Sequence, residues 1–299
     1  MSAPNGGRSS PATDHLTTAR TWLFVPGHRP DRFDKAASSG ADLVIIDLED
    51  AVPAADKDRS RGHAAAWLAR GGRAVVRINP PGTPWFEADL HTAADHGCPV
   101  LVPKAEDPAV LAGISVRTAG RCPLVALIET ALGVERAREV CAAPGVVRAA
   151  FGNVDLAAQL GVAHDDHIAL AHARSRLVLA SAAAGVRPPV DGVTTAVRDA
   201  EALAADVAHA RRLGLTGKLC VHPAQLGAVA DGLTPSESEV RWARAVLDAG
   251  EAVTTVDGQM VDKPVLARAR RVLAQRATGN FSGLSTPRSS SRPGAFESC

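Results

Sequence analysis

Leu124-Val-Ala-Leu-Ile-Glu-Thr130 is an unbroken apolar run that stops at a single carboxylate, Glu129. A run without period-two alternation suits a strand buried on both faces, as in a parallel sheet covered by helices. A carboxylate at the exit of such a strand is costly to bury unpaired, so it needs a basic neighbour or a metal ion beside it. The next apolar run, Val147–Phe151, opens into Gly-Asn-Val-Asp and delivers Asp155. Acids at two neighbouring strand ends suit a hard cation, since Mg²⁺ takes one or two carboxylates together with substrate oxygens and water. On residue type alone, helix capping or an arginine partner accounts for each acid equally well.

Outward from this stretch, further apolar runs occur at Trp22–Val25, Leu43–Ile46, Ala74–Ile78, Pro99–Val102, Pro188–Val190 and Leu219–Val221, which makes eight in all. Ala-rich segments of helical character separate them: Arg32–Ser38, Asp56–Leu68, Pro84–Ala94, Ala109–Ile114, Gly133–Cys141, His167–Ala184 and Val197–Leu213. Strand–helix alternation of this kind predicts a parallel sheet. Eight repeats favour a closed TIM-type (β/α)₈ barrel over an open doubly wound sheet, although Pro188 and Pro189 weaken the seventh strand. The residues just after the runs are Pro26-Gly27-His28, Asp47-Leu48-Glu49, Arg77, Lys104, Glu129, Asp155, Asp191 and His222. Barrel active sites form at the C-terminal ends of the strands, and this end collects acids, an arginine, a lysine and two histidines.

The 299-residue chain has a formal net charge of +1, which gives no reason to expect nucleic acid or an anionic membrane as a partner. No apolar run approaches the roughly 20 residues needed to span a bilayer, and the polar stretch Met1–Leu16 is not a secretory signal. The five cysteines (Cys98, Cys122, Cys141, Cys220, Cys299) are widely spaced and form no Cys-x-x-Cys pair. That pattern fits reduced thiols in a cytoplasm. Residues 1–18 and 279–299 are rich in Ser, Pro and Gly and are expected to be disordered tails around a barrel over 19–234. A helix starting at Ser236, with Glu239 three residues on, runs to about Ala249. A loop over 253–258 and a last helix, Val265–Arg276, complete a helical arm or lid over 235–278.

Eight motifs then occur in order: Leu-Phe-Val-Pro-Gly (23–27), Asp-Leu-Glu-Asp-Ala-Val (47–52), Val-Arg-Ile-Asn (76–79), Pro-Lys-Ala-Glu (103–106), Leu-Ile-Glu-Thr (127–130), Phe-Gly-Asn-Val-Asp-Leu (151–156), Val-His-Pro-Ala-Gln (221–225) and Gly-Gln-Met-Val-Asp-Lys-Pro (258–264). Together, over about residues 20–276, they resemble the citrate lyase β-subunit-like proteins of the HpcH/HpaI aldolase superfamily. The resemblance implies a TIM-type barrel that uses Mg²⁺ to cleave or form a C–C bond between a CoA thioester and a 2-oxo acid. Citryl-CoA, malyl-CoA and citramalyl-CoA lyases are of this kind. It implies Glu129 and Asp155 as metal ligands and Arg77 as the grip on the substrate carboxylate. Asp47 and Glu49 would orient Arg77 or hold metal-bound waters. Asp262 would be the acid/base, presented to a neighbouring subunit of a homotrimer. Phe24, Pro26, Gly27 and Arg29 fall where the family binds part of the CoA.

Other polar residues have plainer explanations beside sharper ones. Lys104 reads as an ion-pair partner of the acid rim sooner than as a Schiff-base lysine. His222 and His28 are either pocket-shaping or structural, and Asp191 in Pro-Val-Asp-Gly reads as a turn former. His164-Asp-Asp-His167 looks like a metal cluster but reads better as the charged start of a helix. Cys220 reads as core. Many relatives carry an acid directly before the metal-binding aspartate, where this chain has Val154, so no single relative dictates its substrate. Two readings stay open beside the CoA-ester lyase: an aldolase acting without CoA, and a silent paralogue binding CoA or a dicarboxylate. Phosphoenolpyruvate chemistry on a related barrel is not excluded either.

Overall fold

The computed structural model describes residues 11–249, 254–256 and 259–279. The expected C-terminal tail beyond Gly279, with Cys299, and the first ten residues lie outside them. The chain divides at Thr234/Pro235 into two compact units.

In the first unit, eight strands close into a barrel in sequence order. They are β1 (Thr21–Pro26), β2 (Leu43–Asp47), β3 (Val75–Arg77), β4 (Val100–Val102), β5 (Leu124–Ile128), β6 (Val146–Phe151), β7 (Arg187–Asp191) and β8 (Gly217–Cys220). All pairings are parallel, and β1 closes onto β8 with Thr21 opposite Lys218. The architecture is that of a TIM barrel. Alternate residues explain the unbroken apolar runs. Trp22, Ile45, Val75, Leu101, Val125 and Leu127 form one buried cluster inside the barrel. Their neighbours Leu23, Val44, Ile46, Val76, Ala126 and Ile128 pack in a second cluster that includes residues of the surrounding helices. Each fully buried aliphatic side chain contributes about 1.5–3 kcal/mol, so neither face of these strands can turn polar cheaply.

β7 forms despite its prolines because its carbonyls do the bonding. Pro188 O accepts from Arg148 Nε and Pro189 O from the Thr216 N–H. Arg148 itself is fully buried on β6, and its fork is bonded to carbonyls and a hydroxyl. Its Nη1 donates to the carbonyls of Leu16 (2.9 Å) and Ala19 (2.8 Å), its Nη2 to Thr216 Oγ1 (2.9 Å), and its guanidinium lies 5.6 Å from the Trp22 ring centre. Burial, with Arg187 nearby, lowers its pKa to about 9. Three carbonyls and a hydroxyl satisfy the fork and seal the end of the barrel opposite the catalytic mouth.

That seal corrects the expected N-terminal tail. Pro11–Thr18 is a helix, and Leu16 is completely buried in the inner cluster. A second difference concerns the stretch before Ala184, whose helix begins at Ala171 and leaves His164–His167 in the preceding loop. There Asp166 Oδ1 accepts from the N–H groups of Ile168 and Ala169, closing a local turn instead of capping the long helix.

The second unit holds a helix, Glu237–Asp248, opened by the expected capping box of Ser236 and Glu239. The predicted loop is instead a two-stranded antiparallel ribbon, β9 (Thr254–Val256) and β10 (Gln259–Val261). Its last helix spans Lys263–Gly279. Ala243, Val246, Val261, Leu266 and Ala269 form this unit's own small core.

Among the described residues no helix is long and apolar enough to cross a membrane, and Cys98, Cys122, Cys141 and Cys220 are buried free thiols.

Candidate active site

The exits of β2 to β6 bring Asp47, Glu49, Arg77, Lys104, Glu129 and Asp155 into one linked cluster, whereas Asp191 and His222, expected on the same rim, are engaged elsewhere. β2 ends on Asp47, which is buried and has every lone pair in use. Its Oδ1 accepts from the Glu49 N–H (2.8 Å) and Arg77 Nε (2.8 Å), and its Oδ2 from the Ala51 N–H (3.1 Å) and Arg77 Nη2 (2.7 Å). A carboxylate offers about four acceptor sites, so Asp47 has none left for a substrate or a bound water. Of the two roles expected for it, only orienting Arg77 is compatible with this bonding.

Arg77, at the end of β3, is thereby held by its Nε–Nη2 edge. Its Nη1 lies 3.1 Å from Glu49 Oε2 and 3.2 Å from Asp50 Oδ2, and its guanidinium lies 4.8 Å from the Phe24 ring centre. Burial pulls its pKa down, but Asp47, Glu49 and Asp50 together push it above the ordinary arginine value. The cation is therefore permanent, flat and aimed, with its Nη1–Nη2 end toward the partly exposed Asp50. Asp50 went unread in the sequence, where it is the third acid of Asp-Leu-Glu-Asp. Glu49 is buried, and burial raises its pKa against the pull of Arg77 and Lys104. Its Oε2 makes no hydrogen bond despite its closeness to Arg77. Lys57 fixes the loop that carries it, donating to the carbonyls of Leu48 (2.9 Å) and Glu49 (2.8 Å).

Glu129, at the exit of β5, is 3% exposed, and its Oε1 accepts from the Lys104 backbone N–H at 2.9 Å. Burial raises its pKa to about 8; the Lys104 N–H works against the rise, and Glu49 and Asp155 add to it. Gly152, after β6, makes room for this side chain. A Cβ there would stand 2.3 Å from Glu129 Cβ and 2.6 Å from Oε2. Asp155 lies in the first turn of the helix Asn153–Leu160, with 43% of its side chain exposed. Asn153 is structural: it accepts from the Val193 N–H and donates to the carbonyls of His164 and Val193, tying together two loops of the mouth.

Lys104 Nζ lies between the acids, 3.0 Å from Glu49 Oε1, 3.9 Å from Glu129 Oε1 and 3.8 Å from Asp155 Oδ2. Glu129 and Asp155 thus each place one oxygen within 4 Å of the same cationic nitrogen. Among the described residues no three His, Cys, Asp or Glu side chains converge as a closed metal cage. Two oxygen ligands opening on a mouth are what Mg²⁺ commonly receives from a protein when substrate and water complete its shell, so the donor set fits that ion.

The segment after β1 borders the same mouth. Gly27 sits so close to β2 that a Cβ would meet Asp47 O at 2.8 Å, and its N–H donates to that oxygen. Phe24 lies against Arg77, Pro26 ends the strand, and Arg29 spends its fork on Asp31. A phosphate bound by Arg29 would have to displace that pair.

Other predicted residues are set elsewhere. Asp191 is not a turn former. It is fully buried and accepts from Arg174 Nε (2.8 Å) and Lys218 Nζ (3.2 Å) on the outer side of the wall. Burial opposes its ionisation, but the two cations hold its carboxyl below the usual range. His222 is a cap: its Nδ1 accepts from the Ala224 N–H, and Gln225 returns the bond. His167 pairs with Asp206 and stacks on His209, so the expected charged helix start is a side-chain network with the next helix. Asp262, in the second unit, is exposed, and its Oδ1 accepts from the Val265 N–H at 3.1 Å at the head of the last helix.

Comparison with known proteins shows the family and the fold. The HpcH/HpaI aldolase/citrate lyase family matches residues 20–223. A citrate lyase subunit beta-like protein of Deinococcus radiodurans is 37% identical over 281 residues, covering 86% of this chain and 97% of the relative. A (3S)-malyl-CoA thioesterase of Cereibacter sphaeroides is 33% identical, over 86% of this chain and 94% of its own. The crystal structure of CitE from Mycobacterium tuberculosis in complex with magnesium, acetoacetate and coenzyme A superposes with a TM-score of 0.76 at 35% identity, covering 87% of this chain and 98% of that one. With a barrel mouth built from Arg77, Glu129 and Asp155 and matches that run almost end to end, this chain belongs to the HpcH/HpaI aldolase/citrate lyase family and is a lyase-type enzyme.

Proposed function

We propose that this enzyme is a Mg²⁺-dependent carbon–carbon lyase that cleaves or forms a 3-hydroxyacyl-CoA thioester of the citryl, malyl or citramalyl type, exchanging an acyl-CoA and a 2-oxo acid. The observation that carries it is one connected charge cluster at the barrel mouth: Arg77, fixed by Asp47, is joined through Glu49 to Lys104, whose ammonium lies within 4 Å of both Glu129 and Asp155. The M. tuberculosis structures with magnesium and acetoacetate, pyruvate or oxaloacetate support the same pairing of ion and oxo acid.

Glu129 and Asp155 would hold the ion. Bound there, it would polarise the keto oxygen of the 2-oxo acid and stabilise charge developing on it. Arg77 binds the substrate carboxylate by its Nη1–Nη2 end, because Asp47 already holds the other edge. Displacing Asp50 from Nη1 opens that end, and Asp50 is exposed enough to move. Phe24 supports the flat guanidinium from one side. In the cleavage direction a base takes the hydroxyl proton, the C–C bond breaks, and the electrons pass into the thioester as an enolate that is then protonated. Asp262 is the proposed group for these proton transfers, delivered by the helical unit of a neighbouring subunit of a homotrimer. Phe24, Pro26, Gly27 and Arg29 border the proposed path of the CoA.

The deciding assay presents acetyl-CoA or propionyl-CoA with glyoxylate, pyruvate or oxaloacetate, and separately malyl-CoA alone, with products identified by mass spectrometry. A condensation product that vanishes with EDTA and in Glu129→Gln is expected. Formation of free CoA and a hydroxy acid from malyl-CoA, with no acyl-CoA, would replace the lyase reading with hydrolysis of the kind named for the C. sphaeroides relative. Full activity in Glu129→Gln would remove the metal assignment.

A further inference from the structure

Lys104 grips one oxygen twice. Its backbone N–H donates to Glu129 Oε1, and its ammonium lies 3.9 Å from that same atom. To aim the N–H, the residue takes a left-handed conformation, φ 49°, which a side-chain-bearing residue adopts only at a cost. The ammonium also reaches Glu49 Oε1 and Asp155 Oδ2. The two parts of the residue differ in freedom. The turn after β4 fixes the backbone contact, while the side chain is 43% exposed on a flexible four-carbon stem.

We propose, on the metal assignment above, that Lys104 is a built-in counter-ion of the carboxylate cluster that a divalent cation must displace, so that its charge sets how tightly the site takes up its metal. The ammonium and a divalent ion compete for the same two oxygens, Glu129 Oε1 and Asp155 Oδ2. Side by side at those oxygens they would repel each other in a partly desolvated site, where charge interactions exceed those in water. The long exposed stem lets the ammonium withdraw toward Glu49 and solvent while the N–H keeps Glu129 aligned. Lys104 thus neutralises buried acids until the ion replaces it. It acts through the ligands and is assigned no contact with the substrate.

The test is a Mn²⁺ titration followed by electron paramagnetic resonance, with Mg²⁺ competition, above the pH at which Glu129 titrates. It compares wild type with Lys104→Met, Lys104→Gln, Lys104→Arg and Glu129→Gln. The two neutral variants should bind Mn²⁺ about tenfold more tightly, a modest share of the Coulomb interaction between close charges. Lys104→Arg, which keeps the charge, should stay near wild type, an outcome that a packing role would not produce. Wild-type or weaker affinity in both neutral variants overturns the proposal and leaves the metal site standing. Absence of Mn²⁺ binding in wild type and neutral variants alike, or undiminished binding in Glu129→Gln, overturns the metal assignment and this proposal with it.

Discussion

Two residues, one in each unit, carry proposed roles that a well-chosen substitution separates. Asp262 accepts the Val265 N–H with Oδ1 at the head of the last helix, so its cap and its proposed proton transfer share one carboxylate. Asparagine caps nearly as well as aspartate, whereas alanine does not. Asp262→Asn should therefore keep the unfolding midpoint and lower kcat by about 10²–10⁴-fold. Asp262→Ala should lose the same activity and also about 1 kcal/mol of stability, read by urea denaturation. Glu129 couples metal to pH. Its native pKa of about 8 stands above its unfolded value of roughly 4.3. The native state therefore holds the extra proton between those values, and metal-free stability falls as pH rises through that window. Since the proton and a divalent ion compete for the carboxylate, Mn²⁺ affinity should climb with pH up to about 8 and then level. Glu129→Gln should flatten the stability profile; an unchanged slope in that variant would dissociate the effect from this residue. Glu129 was readable as a carboxylate at a strand exit, while Asp262 stood out only through the family resemblance. Which lone pairs are free was not readable, because Asp47 is saturated by two backbone N–H groups and one arginine that only the folded loop brings together.

Among the elements, the strands were legible because each is apolar on both faces, and even β7 was located despite its prolines. The N-terminal helix was misread because its partners are distant in sequence. The segment at 11–18 looks like a tail by composition, yet Leu16 fills the barrel end and its carbonyl serves Arg148, 132 residues away. Deleting residues 1–18 should cost about 3–5 kcal/mol, from one buried leucine and one charged donor left short of an acceptor, measurable as a lowered urea midpoint. A truncated chain of unchanged stability would show that the helix does not support the barrel. The ribbon of β9 and β10 was missed for a different reason. Asp257-Gly258 between the two strands is a strong hairpin signal, and the segment was read for its family motif instead.

For the molecule as a whole, composition set the class, and the ordered motifs set the family. Neither set the substrate, and the exposed Val154 beside Asp155 leaves an apolar side chain next to the proposed metal ligand. A shared site is tested by mixing. Purified Asp262→Asn and Arg77→Ala are each expected to be nearly inactive. If the helical unit serves a neighbouring barrel, hetero-oligomers formed from both should recover part of the wild-type rate, because some mouths combine an intact Arg77 with an intact Asp262. No recovery in oligomers proven to be mixed by mass spectrometry would confine each site to one subunit.

Arg148 also sets an order of events. Its acceptors come from Leu16 and Ala19 on one side and from Pro188 and Thr216 on the other, so its fork stays incomplete until both flanks of the barrel have met. During synthesis the guanidinium emerges long before Thr216 exists. Residues whose bonds form late leave folding speed alone while governing how fast the finished structure comes apart. Arg148→Met is therefore expected to speed unfolding and leave the folding rate unchanged in stopped-flow measurements, as a latch on the closed barrel would; a slowed folding rate would instead place the fork in the folding nucleus.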